Sequence, residues 1–328
     1  HGPFPGDEPH PERSAAFLYR NRSKRGVTLD VDNRFGPQAL LDLVNVADIV
    51  VTGMEPSALR SSGLDPETLR RHSPSVIVTS VSNYGQTGPY KDFKGNELVL
   101  DALGGWAYLT GYRDQTPVKP GMFQAQYLAG INAAIHTVAA VNVRQATGAG
   151  RAIDISVMET AVQLVGSGIA GYGQDGSVQV RSGSRTTTYR GGGHHGHPTD
   201  IYECADGYVA VAVQREGQWE MFALALDIPE LKDDPRFCTD SAERGRHADE
   251  LNRLVAPWFK ERSRKQIFGL LGELRVPCGM VYTASEILDD PQHEATGFMT
   301  EMDHPEANAL PYPGSPFHGD EFPWRMRR

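Results

Sequence analysis

The chain has 328 residues, of which 39% are hydrophobic and 22% charged, and its net charge is -9 at pH 7. This composition is typical of a globular protein with room for one large domain or two smaller ones. The negative charge argues against a nucleic acid or an acidic membrane as the main partner. No apolar run approaches the ~20 residues that a membrane span needs.

The first half of the chain alternates strand and helix patterns. Residues 1–11, HGPFPGDEPHP, are rich in turn formers and no strand precedes them, so we expect that the chain as given lacks a first βα unit. Strands are then predicted at 27–31, 47–52 and 76–82, with helical patterns between them. This rhythm predicts βαβ units and a parallel sheet.

Residues 76–130 are the segment around which we expect the function to be organised. Residues 76–82, VIVTSVS, are β-branched or hydroxylated and indicate a strand buried on both faces. Residues 83–90, NYGQTGPY, are turn formers. Open α/β sheets bind their ligands where a strand ends in such a loop. We therefore expect the site near this loop and near the next two polar segments, 94–97 and 124–130.

The second half of the chain begins with a change in composition. Residues 171–199 are dominated by glycine, serine, arginine, threonine and histidine without periodicity, which indicates a domain boundary and a loop. Residues 200–214 read as a β-hairpin, and helical patterns follow. His194, His195 and His197 lie in a glycine-rich context with no preorganised geometry, so we predict no metal site.

The chain has three cysteines, Cys204, Cys238 and Cys278. Their number and spacing fit neither a disulfide framework nor a zinc site. Reduced thiols are typical of the cytoplasm, so we expect a cytoplasmic protein.

Several short motifs occur in order along nearly the whole chain. They are NRSKRGVTLD at 21–30, ADIVV at 47–51 with PSAL at 56–59, SNYGQTGPY at 82–90, TGAGR at 147–151 with IDIS at 153–156, YECADGYVAV at 202–211 and VPCG at 276–279. Together they resemble the family III CoA-transferases, the group that contains formyl-CoA transferase, carnitine CoA-transferase and α-methylacyl-CoA racemase.

The resemblance implies an α/β fold with a large Rossmann-like domain and a smaller α/β domain. We place the large domain at 1–185, the small domain with a glycine- and histidine-rich entry loop at 186–295, and a tail that returns to the large domain at 296–328. The resemblance also implies an interlocked dimer, either a homodimer or a heterodimer with a homologous subunit. The substrates would be an acyl-CoA and a carboxylic acid.

The family's reactive group is an aspartate near a helix N-terminus, which attacks the acyl-CoA thioester in the transferases and exchanges protons in the racemases. In the matching string AQYLAG at 125–130, Gln126 occupies this position. An amide neither attacks nor titrates, so Gln126 cannot perform either task. Asn96 matches the racemase histidine, and Glu216 is the acid nearest to the expected third racemase group. Glu97 begins a predicted helix, where it is a catalytic candidate or simply a cap.

Coenzyme A needs cations for its phosphates and an apolar slot for adenine. Lys24 and Arg25 match the family's basic loop, and Arg60 is a further candidate, although all three are also explained as surface charges. Met54 and Leu59 match positions that border the adenine, or are ordinary core residues. Tyr84 and Gly85 lie in the loop after the buried strand. Asp154 matches a family aspartate that looks structural.

Three functions are compatible with these residues. The first is a CoA-transferase, with catalysis impaired by Gln126. The second is a non-catalytic subunit that pairs with a homologue that keeps the aspartate. The third is a racemase or isomerase of acyl-CoA esters, which has lost two of its three expected groups.

Overall fold

The computed structural model describes residues 2–185, 197–317, 319–320 and 326. The chain divides into two compact units, one of residues 1–28 with 281–328 and one of residues 29–280. Lys24 and Arg25 lie in the first unit, and the other predicted site residues lie in the second. The predicted division at 185 and 295 stays a prediction.

The described elements are short, apart from one 24-residue helix. The helices are α1 Ala15–Asn21, α2 Gly36–Val46, α3 Pro56–Ser61, α4 Pro66–His72, α5 Glu97–Leu103, α6 Trp106–Leu109, α7 Gln124–Thr147, α8 Val157–Leu164, α9 Gly166–Asp175, α10 Glu216–Leu226, α11 Pro229–Asp233, α12 Pro235–Cys238, α13 Ser241–Arg246, α14 Ala248–Lys260, α15 Arg264–Glu273, α16 Ala284–Leu288 and α17 Pro291–Thr296. The strands are β1 Ile49–Thr52, β2 Ile77–Ser82, β3 Ala152–Ser156, β4 Thr199–Cys204, β5 Gly207–Ala212, β6 Cys278–Met280, β7 Met299–Met302 and β8 Leu310–Pro313. No helix among the described residues has the length and apolar character to cross a membrane.

The predicted parallel sheet is confirmed, with strand order β1-β2-β3. Val50 pairs with Val78, and Val78 pairs on its other side with Ala152. The strand predicted at 27–31 is wrong, because these residues form no regular element and Val27 is 78% exposed. An alternating pattern forms a strand only with a hydrogen-bonded neighbour, which residues 27–31 lack in the described structure.

Helix α7 packs closely on the parallel sheet because its inner face carries small residues. Ala125, Ala129 and Ala133 are buried at four-residue spacing, and Thr137 continues the row. The Thr137 Oγ1 atom lies 2.6 Å from Oγ1 of Thr79 on β2. Gly148 ends the helix with φ of +71°, a conformation that glycine adopts without strain. This packing places the amino-terminus of α7 against α5 and α8.

The strands β4, β5 and β6 form a second sheet, which is antiparallel, and the predicted hairpin after residue 199 is confirmed. Its core is aromatic: the Tyr202 and Phe259 rings stack with centroids 4.3 Å apart, and Phe222 is fully buried. The fully buried Arg244 lies over Trp219 and donates to Glu216 Oε1 at 2.8 Å. This region therefore has a complete hydrophobic core of its own.

The first unit is small and is built around the β7-β8 hairpin. Arg13 Nε donates to the Glu306 carbonyl at 2.6 Å, and Arg22 Nη1 donates to the Pro313 carbonyl at 2.8 Å. These two bonds join the beginning of the chain to the turn and the second strand of this hairpin.

Candidate active site

The loop after β2 is held in a fixed conformation by the neighbouring strand. The Gln86 N–H donates to Asp154 Oδ2 on β3 at 2.8 Å. Gly85 has φ of +83°, and a Cβ at this position would lie 3.3 Å from the same Asp154 oxygen. Asp154 therefore has a structural task in shaping the loop. Tyr84 is buried, and its hydroxyl lies so close to Gly95 that a Cβ there would be 2.9 Å away.

Helix α5 begins where this loop ends. Asn96 is its N-cap and accepts a hydrogen bond from the Val99 N–H at 3.2 Å. Glu97 follows and is only 3% exposed. The helix buries Glu97, Leu100 and Asp101. It leaves Leu98 and Leu103 on the outside, each 54% exposed.

Glu97 reaches across to the amino-terminus of α7. The N-cap residue of α7, Phe123, offers no side-chain acceptor, and the Ala125 N–H is buried. Glu97 Oε1 accepts this N–H at 2.9 Å. A carboxylate at this place accepts a hydrogen bond from an N–H group that has no partner within the helix. Its negative charge is also stabilised by the helix dipole. The capping function expected for Glu97 is therefore present, but it serves α7 rather than the helix that Glu97 begins.

Burial raises the pKa of Glu97, and the charge of Asp101 raises it further. The N–H groups of Ala125 and Gln126 and the charge of Lys119 act in the opposite direction. Burial also raises the pKa of Asp101, which Lys119 partly offsets. The result is two buried acids with raised proton affinity beside a helix N-terminus.

Gln126 is the third residue of α7 and is exposed. Its N–H faces Glu97 and its side chain is exposed, so residue 126 lies beside the buried Glu97 carboxyl. Gln124, the other amide in this turn, donates from Nε2 to the Gly121 carbonyl at 2.9 Å. The structure thus brings together Asn96, Glu97 and Gln126.

The predicted coenzyme A residues are spread over both units. In the second unit, Leu59 is 1% exposed and belongs to a core cluster with Val78, whereas Met54 is 38% exposed. Arg60 Nη2 lies 2.8 Å from Asp92 Oδ1. In the first unit, Lys24 Nζ donates to Asn21 Oδ1 at 3.2 Å, and Arg25 is exposed.

The histidines of the glycine-rich segment and the racemase candidate Glu216 lie elsewhere in the chain. His194 and His195, with the glycine-rich entry loop, lie outside the described residues. His197 is 1% exposed, and its Nε2 lies 2.9 Å from Asn252 Oδ1. The described residues contain no cluster of three or more histidine, cysteine, aspartate or glutamate side chains that could hold a metal ion. Glu216 is paired with Arg244.

Sequence reasoning missed Asp101 and Lys119. The signal was present in the string ELVLDAL at 97–103, where two acids are four residues apart and share a helix face with Leu100. The string by itself does not show that the face with the two acids is the buried one. Leucine and valine occur on the other faces of the helix as well.

Comparison with known proteins decides the family. The family model described as CoA-transferase family III matches residues 3–328. The chain belongs to this family. The resemblance drawn from its ordered motifs is therefore confirmed, as is a CoA-transferase assignment at the level of the family.

Two curated relatives and one solved structure show what this family III member is similar to. The succinyl-CoA–D-citramalate CoA-transferase of Chloroflexus aurantiacus is 34% identical over 82% of the chain. The alpha subunit of the succinyl-CoA–L-malate CoA-transferase of Chloroflexus aurantiacus is 28% identical over 87% of it. The chain spans 65% of the length of each of these two relatives. A CAIB/BAIF family protein from Brucella suis is 28% identical, with a TM-score of 0.81 over 97% of this chain and 80% of that protein.

Proposed function

We propose that the chain is a CoA-transferase that binds an acyl-CoA thioester and moves CoA between carboxylic acids. The observation that supports this proposal is the amino-terminus of α7, where residue 126, which the motif match assigns to the family's reactive position, lies beside the buried Glu97 carboxyl. Helix N-termini favour anions and developing negative charge, which a thioester oxygen acquires during attack. We expect the protein to act in the cytoplasm.

Gln126 limits what the chain can do by itself. A carboxamide cannot form the acyl anhydride that passes CoA from one acid to another, because it is not a useful nucleophile. Its N–H₂ group can donate a hydrogen bond to a thioester or carboxylate oxygen. We therefore propose that Gln126 binds the substrate without attacking it, and that catalysis by the isolated chain is impaired.

This substitution favours a second candidate function, a non-catalytic subunit of a heteromeric CoA-transferase. One relative is named as an alpha subunit, so heteromeric members exist among the similar proteins. Helices α5 and α7 also present exposed apolar side chains, among them Leu98, Ile131 and Ile135. We propose that a homologous subunit, or a second copy of the chain, covers them. The described geometry lends the racemase alternative no comparable support, because Asn96 is engaged as a cap and Glu216 with Arg244.

The relatives also suggest the substrates. D-citramalate and L-malate are both hydroxylated dicarboxylic acids, and both named enzymes use succinyl-CoA. We propose a dicarboxylate of this kind as acceptor. For the CoA phosphates we propose Lys24, Arg25 and Arg60, and for the adenine region Met54, Leu59, Tyr84 and Gly85. Charged contacts to phosphate weaken with added salt, so CoA binding through these cations should be salt-dependent.

The test is CoA exchange by the purified chain, with succinyl-CoA as donor and malate, citramalate, mesaconate and glutarate as acceptors. We expect acyl-CoA binding with little turnover, and at least a tenfold gain in the Gln126→Asp variant. Gln124→Asp is the matched control, because it adds the same charge in the same helical turn. In the Gln126→Asp variant, hydroxylamine should cleave an anhydride or thioester formed at residue 126 and leave a hydroxamate there, which mass spectrometry detects.

The outcomes separate the two candidates. Turnover by the unmodified chain that equals that of Gln126→Asp contradicts the impaired transferase and the non-catalytic subunit alike. Turnover that appears only after a homologous subunit is added supports the heteromer. Failure to bind any acyl-CoA, in a folded protein, would overturn the whole proposal.

A further inference from the structure

Asp101 is a buried acid for which the family assignment gives no task. It is 1% exposed, and neither of its carboxylate oxygens has a hydrogen-bond partner among the described residues. The same is true of Glu97 Oε2. Three carboxylate oxygens of two neighbouring acids are thus buried without a donor. The cap on α7 accounts for Glu97 Oε1 and explains none of these three.

Ionising both carboxylates is costly in this arrangement. A buried polar group without a partner costs free energy, and a buried charge without a partner costs much more. Glu97 and Asp101 are four residues apart on one helix, where like charges repel each other. The usual response of such a pair is to keep one proton between the two acids.

The surrounding charges are consistent with one retained proton. On α5 the acids face only each other, and on the segment before α7 Lys119 acts on both. Lys119 Nζ is fixed by the carbonyls of Pro120 and Met122. Two acids, one proton and one lysine give a net charge of zero.

The helices packed against α5 add few other titratable groups. Tyr108 on α6 and Glu159 on α8 are exposed. His136 of α7 is 11 residues beyond Ala125, which is about 16 Å along the helix axis. The nearby first turn of α7 carries the uncharged Gln124 and Gln126, and its tyrosine, Tyr127, is 39% exposed.

We propose that Asp101 is a positioning residue that shares a single proton with Glu97 and so limits the negative charge at the amino-terminus of α7. The proton fixes the Glu97 carboxyl in the orientation that caps α7. It also keeps a second negative charge away from the place where an anionic substrate would bind. This last step rests on the proposed function, whereas the shared proton does not.

A binding consequence follows from mass action. A carboxylate that binds beside Gln126 favours the form of the pair that holds the proton. Above the pH at which the free pair loses it, binding must therefore take a proton from the solvent. No bond to carbon is formed or broken in this step, and the buffer supplies the proton.

The same proton should make the free energy of unfolding depend on pH. Both acids have raised pKa values in the folded state. Their contribution to stability is fully present below the ordinary pKa of a carboxyl, near pH 4. It is lost as the pH rises through the folded pKa values. Asp101→Asn should therefore show a smaller loss of stability than the unmodified chain between pH 4 and 8.

The direct test is a carboxyl ¹³C NMR titration of the full chain with labelled aspartate and glutamate. We expect Asp101 and Glu97 to titrate together in two steps, at least one of them above the ordinary range of a carboxyl. Asp101→Asn should lower the titration midpoint of Glu97 by at least one unit. Asp42→Asn, which removes an exposed carboxylate of α2, is the matched control and should leave it unchanged.

Two results would overturn the proposal: independent titration of both acids in the ordinary range, or a Glu97 midpoint that Asp101→Asn does not move. The titration of the unmodified chain decides the question even if the variant does not fold. Calorimetry of succinyl-CoA binding in buffers of different ionisation enthalpy then measures proton uptake, which Asp101→Asn should abolish. If no acyl-CoA binds while the two acids still titrate together, the proposed function fails and the shared proton stands.

Discussion

The two sheets of residues 29–280 differ in how completely the chain buries the apolar side chains packed around them. The antiparallel sheet has an aromatic core that its own helices close, with Phe222, Phe259 and Leu251 fully buried. Around the parallel sheet, the buried residues of α7 are mostly alanines, and large apolar side chains such as Ile131 and Ile135 face outward. The isolated chain thus buries the apolar side chains of the antiparallel region. It leaves apolar surface exposed on α7, as is typical of an interface.

The largest expected effect is in the antiparallel region. Phe222→Ala removes a ring that is fully buried and packs against Phe259 and Trp219. Deleting a buried ring leaves a cavity, and we expect a loss of about 3–5 kcal/mol in the free energy of unfolding. Urea unfolding measures it. Leu224→Ala on the same helix is the control, since Leu224 is 53% exposed; equal losses from both changes would show that this core is not closed.

A smaller effect is expected at the loop after β2. Gly85→Ala forces a side chain into the left-handed region at φ of +83°, beside Asp154. The expected cost is about 1–2 kcal/mol. Gly53→Ala is the control, because a Cβ at residue 53 would meet nothing within 4 Å and the φ of Gly53 is not in that region. Thermal unfolding of both variants compares them; an unchanged Gly85→Ala would mean that the loop is not held as described.

The next prediction concerns the N-terminal cap of α4, a helix that packs on the parallel sheet. Asp65 accepts hydrogen bonds from the Thr68 N–H at 3.0 Å and the Thr68 hydroxyl at 2.8 Å. Burial alone would raise the pKa of Asp65, but these bonds lower it. Asp65→Ala should cost about 1 kcal/mol at neutral pH. Because the folded pKa is depressed, the difference from the unmodified chain should shrink as the pH falls through it.

Unfolding curves at pH 7 and at pH 3 check this prediction. Glu67→Ala in the same helix is the control for loss of a charge near the helix N-terminus. A cost that stays constant with pH would show that the Asp65 carboxylate is not the cap.

The smallest effect on stability, and the largest on association, is expected on the outer face of α7. Ile131→Ser with Ile135→Ser changes residues that are 56% and 59% exposed. The free energy of unfolding of the isolated chain should change by less than about 0.5 kcal/mol per site, as is usual at exposed positions. Sedimentation equilibrium should show weaker self-association or weaker binding to a homologous subunit. Gln145→Ser is the control, and an equal effect from it would remove the contrast between the two regions.

Much of this architecture could be predicted from local patterns. The β-branched run at 76–82 and the hairpin after residue 199 follow from propensity and turn residues, and both are present. The strand expected at 27–31 failed because a strand depends on a neighbour that the local sequence does not specify. The Glu97 carboxyl was a candidate from its motif, but its partner Ala125 is 28 residues away. Asp101 was missed because only tertiary packing decides which face of α5 is buried.

The fully buried Arg244 has a consequence for the evolution of this fold. Its guanidinium donates to the carbonyls of His197 and Phe237 and to the Glu216 carboxylate, each through a different nitrogen. Lysine has no planar fork to reach three such acceptors at once. Drift at position 244 should therefore be slow, and a sequence that replaces this arginine by an apolar residue should also have changed position 216.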